Sequence, residues 1–304
     1  MNNNIKLLQS YTNGNYIVKI YSDGTKIRIT EEDKFIPEFP ESIDMKITDY
    51  CEVGCPMCHE NSSIKGKHAN FNYKFLDTLK EGTEISLGGG NTLSHPNLKE
   101  LLEKLNSKNI ICNMTIHNSI KEIDLLTSFL YKGQIKGLGI SANNPKEFRN
   151  VENILNILIK NGISTDNVVL HVIEGIVNYK DLIEFKDILP DKLLILGNKL
   201  FGRGIEYNHK NGLWLNEKRK MLVNNIDQIF RTFKVVATDN LAIETLELRK
   251  RLDEYTFNSY YMGDEGEFTM YIDLVEGKYA KNSTTKKSER KDIKDNIINM
   301  FKNL

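Results

Sequence analysis

Ile43-Asp-Met-Lys-Ile-Thr-Asp-Tyr-Cys51-Glu-Val-Gly-Cys55-Pro-Met-Cys58 decides the fold: an apolar run ends near Thr48, and three cysteines follow within eight positions. Gly54 and Pro56 make the cysteine segment a loop. Thiolates bunched this tightly suit an iron–sulfur cluster or zinc. Structural zinc sites are closed by four ligands, typically from two separated pairs, and here there is one triplet without a second pair. The remaining cysteine, Cys112, sits in Asn109-Ile-Ile-Cys-Asn-Met-Thr-Ile116, which has the character of a buried strand. Three thiolates can hold three irons of a [4Fe–4S] cube and leave the fourth open to a chelating small molecule. Zinc completed by His59 or His68 is the competing reading of the same residues.

Outward from this stretch the pattern is strand, loop, helix, repeated. Strands are predicted at Ile43–Thr48, Glu84–Leu87, Ile110–Ile116, Ile135–Ser141, Asn167–Ile173 and Lys192–Leu196. Between them lie helical periods: Pro96 to Leu105, Ile123 to Tyr131, Pro145 to Lys160 and Tyr179 to Leu189, each with apolar residues three and four apart. Alternation of this kind argues for a parallel sheet with right-handed crossovers. Ahead of it, Tyr16–Tyr21 and Thr25–Ile29 flank Ser22-Asp-Gly24, a hairpin that caps the core. Behind it, Asn216 is expected to cap a helix, Lys234–Ala237 to form a seventh strand and Asn240–Leu252 a further helix. Glu267–Leu274 opens a terminal hairpin turning at Glu276-Gly277, and Lys281–Leu304 is expected to be a solvated tail or short surface helix.

The bulk numbers bound the function. With 304 residues, 40% hydrophobic and 27% charged, the composition is ordinary for a globular chain. Forty-one basic against 41 acidic residues argue against duplex nucleic acid as partner. No run approaches a membrane span, and no apolar leader follows Met1. Four cysteines so spaced are not a disulfide framework, which points to a reducing cytoplasm.

The spacing C-x3-C-x2-C on the loop after the first core strand resembles the signature of the radical S-adenosylmethionine superfamily. The resemblance implies a partial (β/α)6 barrel over residues 42–204, preceded by a hairpin extension at 1–41 and followed by an α+β extension at 205–304. It further implies Cys51, Cys55 and Cys58 as ligands of a [4Fe–4S] cluster, and S-adenosylmethionine bound to the open iron and cleaved to a 5′-deoxyadenosyl radical. A reductant such as flavodoxin or ferredoxin is implied too. Gly88-Gly89-Gly90 stands where the family has a Gly-Gly-Glu-like motif, so the backbone contact to the cofactor's amino group survives and the acidic one is lost. Met57, Asn118, Ser141, Asn143, Ile173 and Gly197 are the other expected cofactor contacts. Asn143 and Asn144 equally suit a helix cap before Pro145. His171 and Arg203 are candidate catalytic or substrate-binding groups: a strand histidine is more often a hydrogen-bonded structural residue, and an arginine between Gly202 and Gly204 can grip a carboxylate or phosphate. No cysteine follows Cys112, so a second all-cysteine cluster cannot form. The implied reaction is an oxygen-sensitive oxidoreductase- or transferase-type one on a peptide or a nucleotide-like small molecule. A non-catalytic zinc module is the contrasting class.

Overall fold

A computed structural model describes residues 5–304. The chain opens with a three-stranded antiparallel meander, β1 (Leu7–Asn13), β2 (Tyr16–Tyr21) and β3 (Lys26–Ile29). Its first strand was not expected, because Leu7–Asn13 alternates weakly and draws its order from pairing with β2. The core follows as β4 (Ser42–Thr48), β5 (Glu84–Gly89), α1 (Leu98–Asn106), β6 (Ile111–His117), α2 (Ile123–Tyr131), β7 (Gly137–Ser141), α3 (Pro145–Lys160), β8 (Val168–Ile173), α4 (Tyr179–Glu184) and β9 (Lys192–Leu196). All six core strands therefore stand within about two residues of where their periodicity puts them.

Beyond β9 the differences grow. Asn216 caps nothing; it lies inside one long helix, α5 (Arg203–Asn224), and the break comes at Asn225 before α6 (Ile226–Thr232). β10 (Val235–Thr238) is the expected seventh strand. The single helix expected after it is split by Glu247, at φ 51°, into α7 (Asn240–Thr245) and α8 (Leu248–Arg251), followed by α9 (Glu254–Tyr260). β11 (Thr269–Asp273) and β12 (Lys278–Ala280) make the terminal hairpin. The tail is not merely solvated: β13 (Lys291–Asp292) extends the hairpin, and α10 (Ile297–Phe301) buries Ile297, Met300 and Phe301 in the main core.

One ten-stranded sheet runs β10-β9-β8-β7-β6-β5-β4-β11-β12-β13. From β10 to β11 every pairing is parallel, so the C-terminal β11 lines up beside the first core strand, Tyr271 opposite Asp44. The sheet is open: among the described residues no pairing joins its two edges. It nevertheless bends. Flat strands about 4.8 Å apart would set β4 and β10 about 29 Å from each other, yet Asp44 on β4 lies close enough to Asp239, the residue after β10, for that charge to act on its carboxyl.

Alternation along the strands gives the sheet two unlike faces. Ile43, Ile85, Cys112, Leu138, Leu170 and Leu193 lie on one face, fully buried with the inner stripes of α1, α2 and α3. Asp44, Ser86, Asn113, Gly139, His171 and Leu194 lie on the other, the inside of the bend. At the amino ends of the strands the meander forms a floor. Tyr16 donates to Glu41 at 2.6 Å, Arg28 pairs with Glu41 at 2.8 Å and stacks over Phe268, and the turn carbonyl of Asp23 accepts from Lys192 at 2.8 Å.

Candidate functional site

The cysteine loop leaves β4 at the opposite, carboxyl end. Its backbone is held on two sides. Cys51 N–H donates to the Ser63 carbonyl at 3.0 Å, and Arg203 bonds the other flank: Nε to the Cys55 carbonyl at 2.9 Å, Nη1 to the Ser62 carbonyl at 3.0 Å and to Asn61 at 3.2 Å. Gly202 makes this approach possible, since a Cβ there would lie 2.6 Å from the His59 carbonyl. Arg203 is thus committed to the loop, and its guanidinium braces the cysteines instead of reaching for a ligand.

All three thiols are free and partly exposed. Burial, then the charges of Cys58 and Cys51, push the Cys55 thiol up to about 11, so loading a soft metal near neutral pH displaces its proton. Among the described residues no group of three or more His, Cys, Asp or Glu side chains converges closely enough to hold a metal as it stands. The donor chemistry, three mutually interacting thiols on one braced loop, fits an iron–sulfur cluster. The histidines that a zinc reading would recruit are engaged: His68 Nδ1 with Thr48 Oγ1 at 2.9 Å, His59 with Glu60 at 3.4 Å.

The glycine run separates into two kinds of position. Gly89, at φ 116°, would put a Cβ 2.3 Å from the Thr48 carbonyl, and Gly90 one 2.1 Å from the Tyr50 carbonyl. These two let β5 close against the start of the cysteine loop. Gly88 faces open space. Of the remaining candidates, Asn118 is used up within the scaffold, donating to the Ser141 carbonyl at 2.8 Å and accepting from Asn150 at 2.9 Å. Asn144 is the α3 cap, accepting from Glu147 N–H at 3.1 Å, while Asn143 accepts from Ile173 N–H at 2.7 Å. Gly197 N–H is taken by Asp239 at 2.8 Å. Ser141 and Ile173 line the inner face, and Met57 lies half-buried on the loop.

His171 does point inward, as strand parity requires. A Cβ on Gly139 would strike its ring at 2.2 Å, so the glycine makes the room. The imidazole has no hydrogen-bond partner among the described residues, contrary to the structural role expected of it. Burial pushes it down to about 4, which leaves it neutral at pH 7.

Sequence reasoning missed a charged knot beneath the loop. Lys46, 3% exposed on β4, meets Asp49 at 2.7 Å, Glu60 at 2.8 Å and Asp273 of β11 at 3.1 Å. Burial alone would lower this ammonium; Glu60 and Asp273 reverse that and hold it above its usual range. Tyr271 donates to Glu60 at 3.3 Å, and Arg290 reaches Asp273 at 3.4 Å. A lone lysine in an apolar run was the only signal. Deeper in the bend Asp44 is accessible but enclosed on most sides; that desolvation raises its carboxyl, against the pull of Lys199.

No protein-family model matches the sequence, and no curated protein matches it. Solved structures do. The chain is similar to Streptococcus suis SuiB bound to S-adenosylmethionine, with a TM-score of 0.60 and 16% identity over 84% of this chain and 64% of SuiB. It is equally similar to SuiB bound to the precursor peptide SuiA, with a TM-score of 0.59 and 14% identity over 88% of this chain and 65% of that one. This chain has the SuiB fold. SuiB alone aligns over 99% of this chain and 87% of its own, at a TM-score of 0.61 and 13% identity. In the two SuiB complexes the match spans just under two thirds of SuiB's length. The shared fold supports the resemblance to the radical S-adenosylmethionine superfamily carried by the cysteine spacing. Among the described residues no helix is long and apolar enough to cross a membrane.

Proposed function

We propose that the chain is a radical S-adenosylmethionine enzyme that acts on a peptide. Its core, residues 42–204, is a partial (β/α)6 barrel, flanked by the floor at 1–41 and by an extension at 205–304 that adds β11. Cys51, Cys55 and Cys58 would hold a [4Fe–4S] cluster. The observation that carries this reading is the braced cysteine triplet at the carboxyl end of the first strand of a SuiB-like sheet, where barrel folds gather their chemistry. A cluster held there would supply one-electron reduction of S-adenosylmethionine, and with it radical abstraction of hydrogen from the substrate. The chain's own residues position and shield. Arg203 and Gly202 fix the loop, the glycine run and the Gly197 carbonyl offer backbone, and Met57, Ser141 and Ile173 line the cofactor's path. His171, neutral and unpartnered, can accept a hydrogen bond or a proton from substrate. The peptide substrate rests on the likeness to SuiB with SuiA bound, and on a sheet whose open edge admits a chain. A flavodoxin- or ferredoxin-type reductant in a reducing cytoplasm completes the proposal.

Anaerobic protein given dithionite and S-adenosylmethionine is expected to release 5′-deoxyadenosine and methionine slowly, and faster with its peptide. Cys51→Ala, Cys55→Ala and Cys58→Ala each abolish both cluster and product, whereas Cys112→Ala spares them. Zinc in place of iron and sulfide, or a loaded protein that makes no 5′-deoxyadenosine, ends the reading.

A further inference from the structure

Lys46 joins the two ends of the cysteine loop to the C-terminal extension. Its ammonium meets Asp49, two residues before Cys51, at 2.7 Å and Glu60, two residues after Cys58, at 2.8 Å. The third contact, at 3.1 Å, is the fully buried Asp273 of β11. An ammonium has three N–H donors, so Lys46 spends one on each end of the loop and one on β11. The carboxylates are fixed in turn. The other oxygen of Glu60 meets His59 at 3.4 Å and Tyr271 at 3.3 Å. Asp273 accepts from the Val275 and Glu276 N–H groups, both at 3.0 Å.

The charges of this knot do not balance. Lys46 and Arg290 face Asp49, Glu60 and Asp273, two cations against three carboxylates. Glu276, beside them, is already paired with Lys287. Buried ion pairs contribute little stability over apolar packing, but a charge acts much further across protein than across water. The potentials of iron–sulfur groups respond to net charge and to hydrogen bonds around them. Reduction of a cluster on Cys51, Cys55 and Cys58 takes one electron from the external carrier and makes or breaks no bond. What the surroundings then act on is the added negative charge, which Lys46 favours and Asp273 opposes.

We propose that Lys46 and Asp273 are positioning residues that tie the cysteine loop to β11 and set, with opposite signs, the reduction potential of a cluster held on that loop. The inference rests on the radical enzyme reading and gives the C-terminal extension a part in it. A redox titration of the anaerobically reconstituted full chain tests it, read by the electron paramagnetic resonance of the reduced cluster. Lys46→Met keeps the length of the side chain and removes its charge. At a fixed potential the ratio of reduced to oxidised cluster is expected to fall about tenfold, a downward shift of about 59 mV. Asp273→Asn keeps the shape and removes the opposite charge, and an upward shift of similar size is expected. Lys46→Met/Asp273→Asn restores the parent's balance and is expected within about twofold of the parent's ratio. Residues that served packing alone would move both single variants the same way, or neither. Either result, with iron content and fold intact, overturns the inference. Should Lys46→Met fail to hold iron, Asp273→Asn carries the test, and a potential at or below the parent's overturns the inference. A parent that assembles no iron–sulfur cluster overturns the enzyme reading and this inference with it.

Discussion

Leu170 and His171 are neighbours in β8 and belong to different worlds. Leu170 faces the helices with no exposed surface, inside a layer of Ile, Leu, Val and Met continuous from β4 to β9. His171 faces the hollow of the bend, beside Gly139 and Ser141 of β7 and Leu194 of β9. One face of the sheet supplies stability through close packing. The other keeps space, polar groups and unspent hydrogen bonds, as a binding surface must. Lys46, on the same face as Asp44, shows the cost of burying a charge there: it needs Asp49, Glu60 and Asp273 around it.

The contrast is broken most directly in β8. Leu170→Ala is expected to cost about 2–5 kcal/mol in urea unfolding, the price of a core cavity. Val169→Ala, on the hollow side, is expected to cost about 1 kcal/mol or less. Equal losses would mean that both faces are packed alike. At the end of β5 the same contrast is sharpened by glycines. Gly89→Ala meets a carbonyl 2.3 Å away and a left-handed backbone, and is expected to lose about 1–3 kcal/mol. Gly88→Ala has open space and is expected to stay within about 0.5 kcal/mol of the parent. Its effect falls on ligand affinity instead. Stability loss at Gly88 and none at Gly89 would reverse the assignment.

The smallest effect is in pH dependence. His171 is held to about 4 in the folded chain by burial, against about 6.5 unfolded. Between those values the unfolded state binds a proton that the folded state refuses, so stability rises with pH across that window and is flat above it. His171→Gln is expected to flatten that rise by up to one proton's worth of slope. A variant with the parent's slope between pH 4 and 6.5 would show that the ring is hydrated and belongs to no enclosed hollow.

Much of the fold was legible because it is written at short range. Strand alternation, helical stripes and the Asn144-Pro145 start of α3 are local, and so the six core strands and α3 stand where the sequence puts them. The site was legible in its chemistry and not in its assignments. Gly88, Gly89 and Gly90 look identical in sequence, yet only the paths of Thr48 and Tyr50 make two of them obligatory glycines. Asn118, a plausible ligand residue by position, spends its amide on Ser141 and Asn150.

By itself the sequence determined the alternation of strands and helices, the loop that carries three thiols, and the inward aim of His171, since each follows from periods of two or 3.6 residues. Tertiary structure alone decided the rest. It set β11 beside β4, gave Lys46 a partner 227 residues away in Asp273, and turned Arg203 toward the carbonyl of Cys55, 148 residues before it. It also brought Glu52 and Glu122 onto one amide. No local period encodes such meetings; they are fixed by how the whole sheet bends and by which buried charges must find a partner when it does.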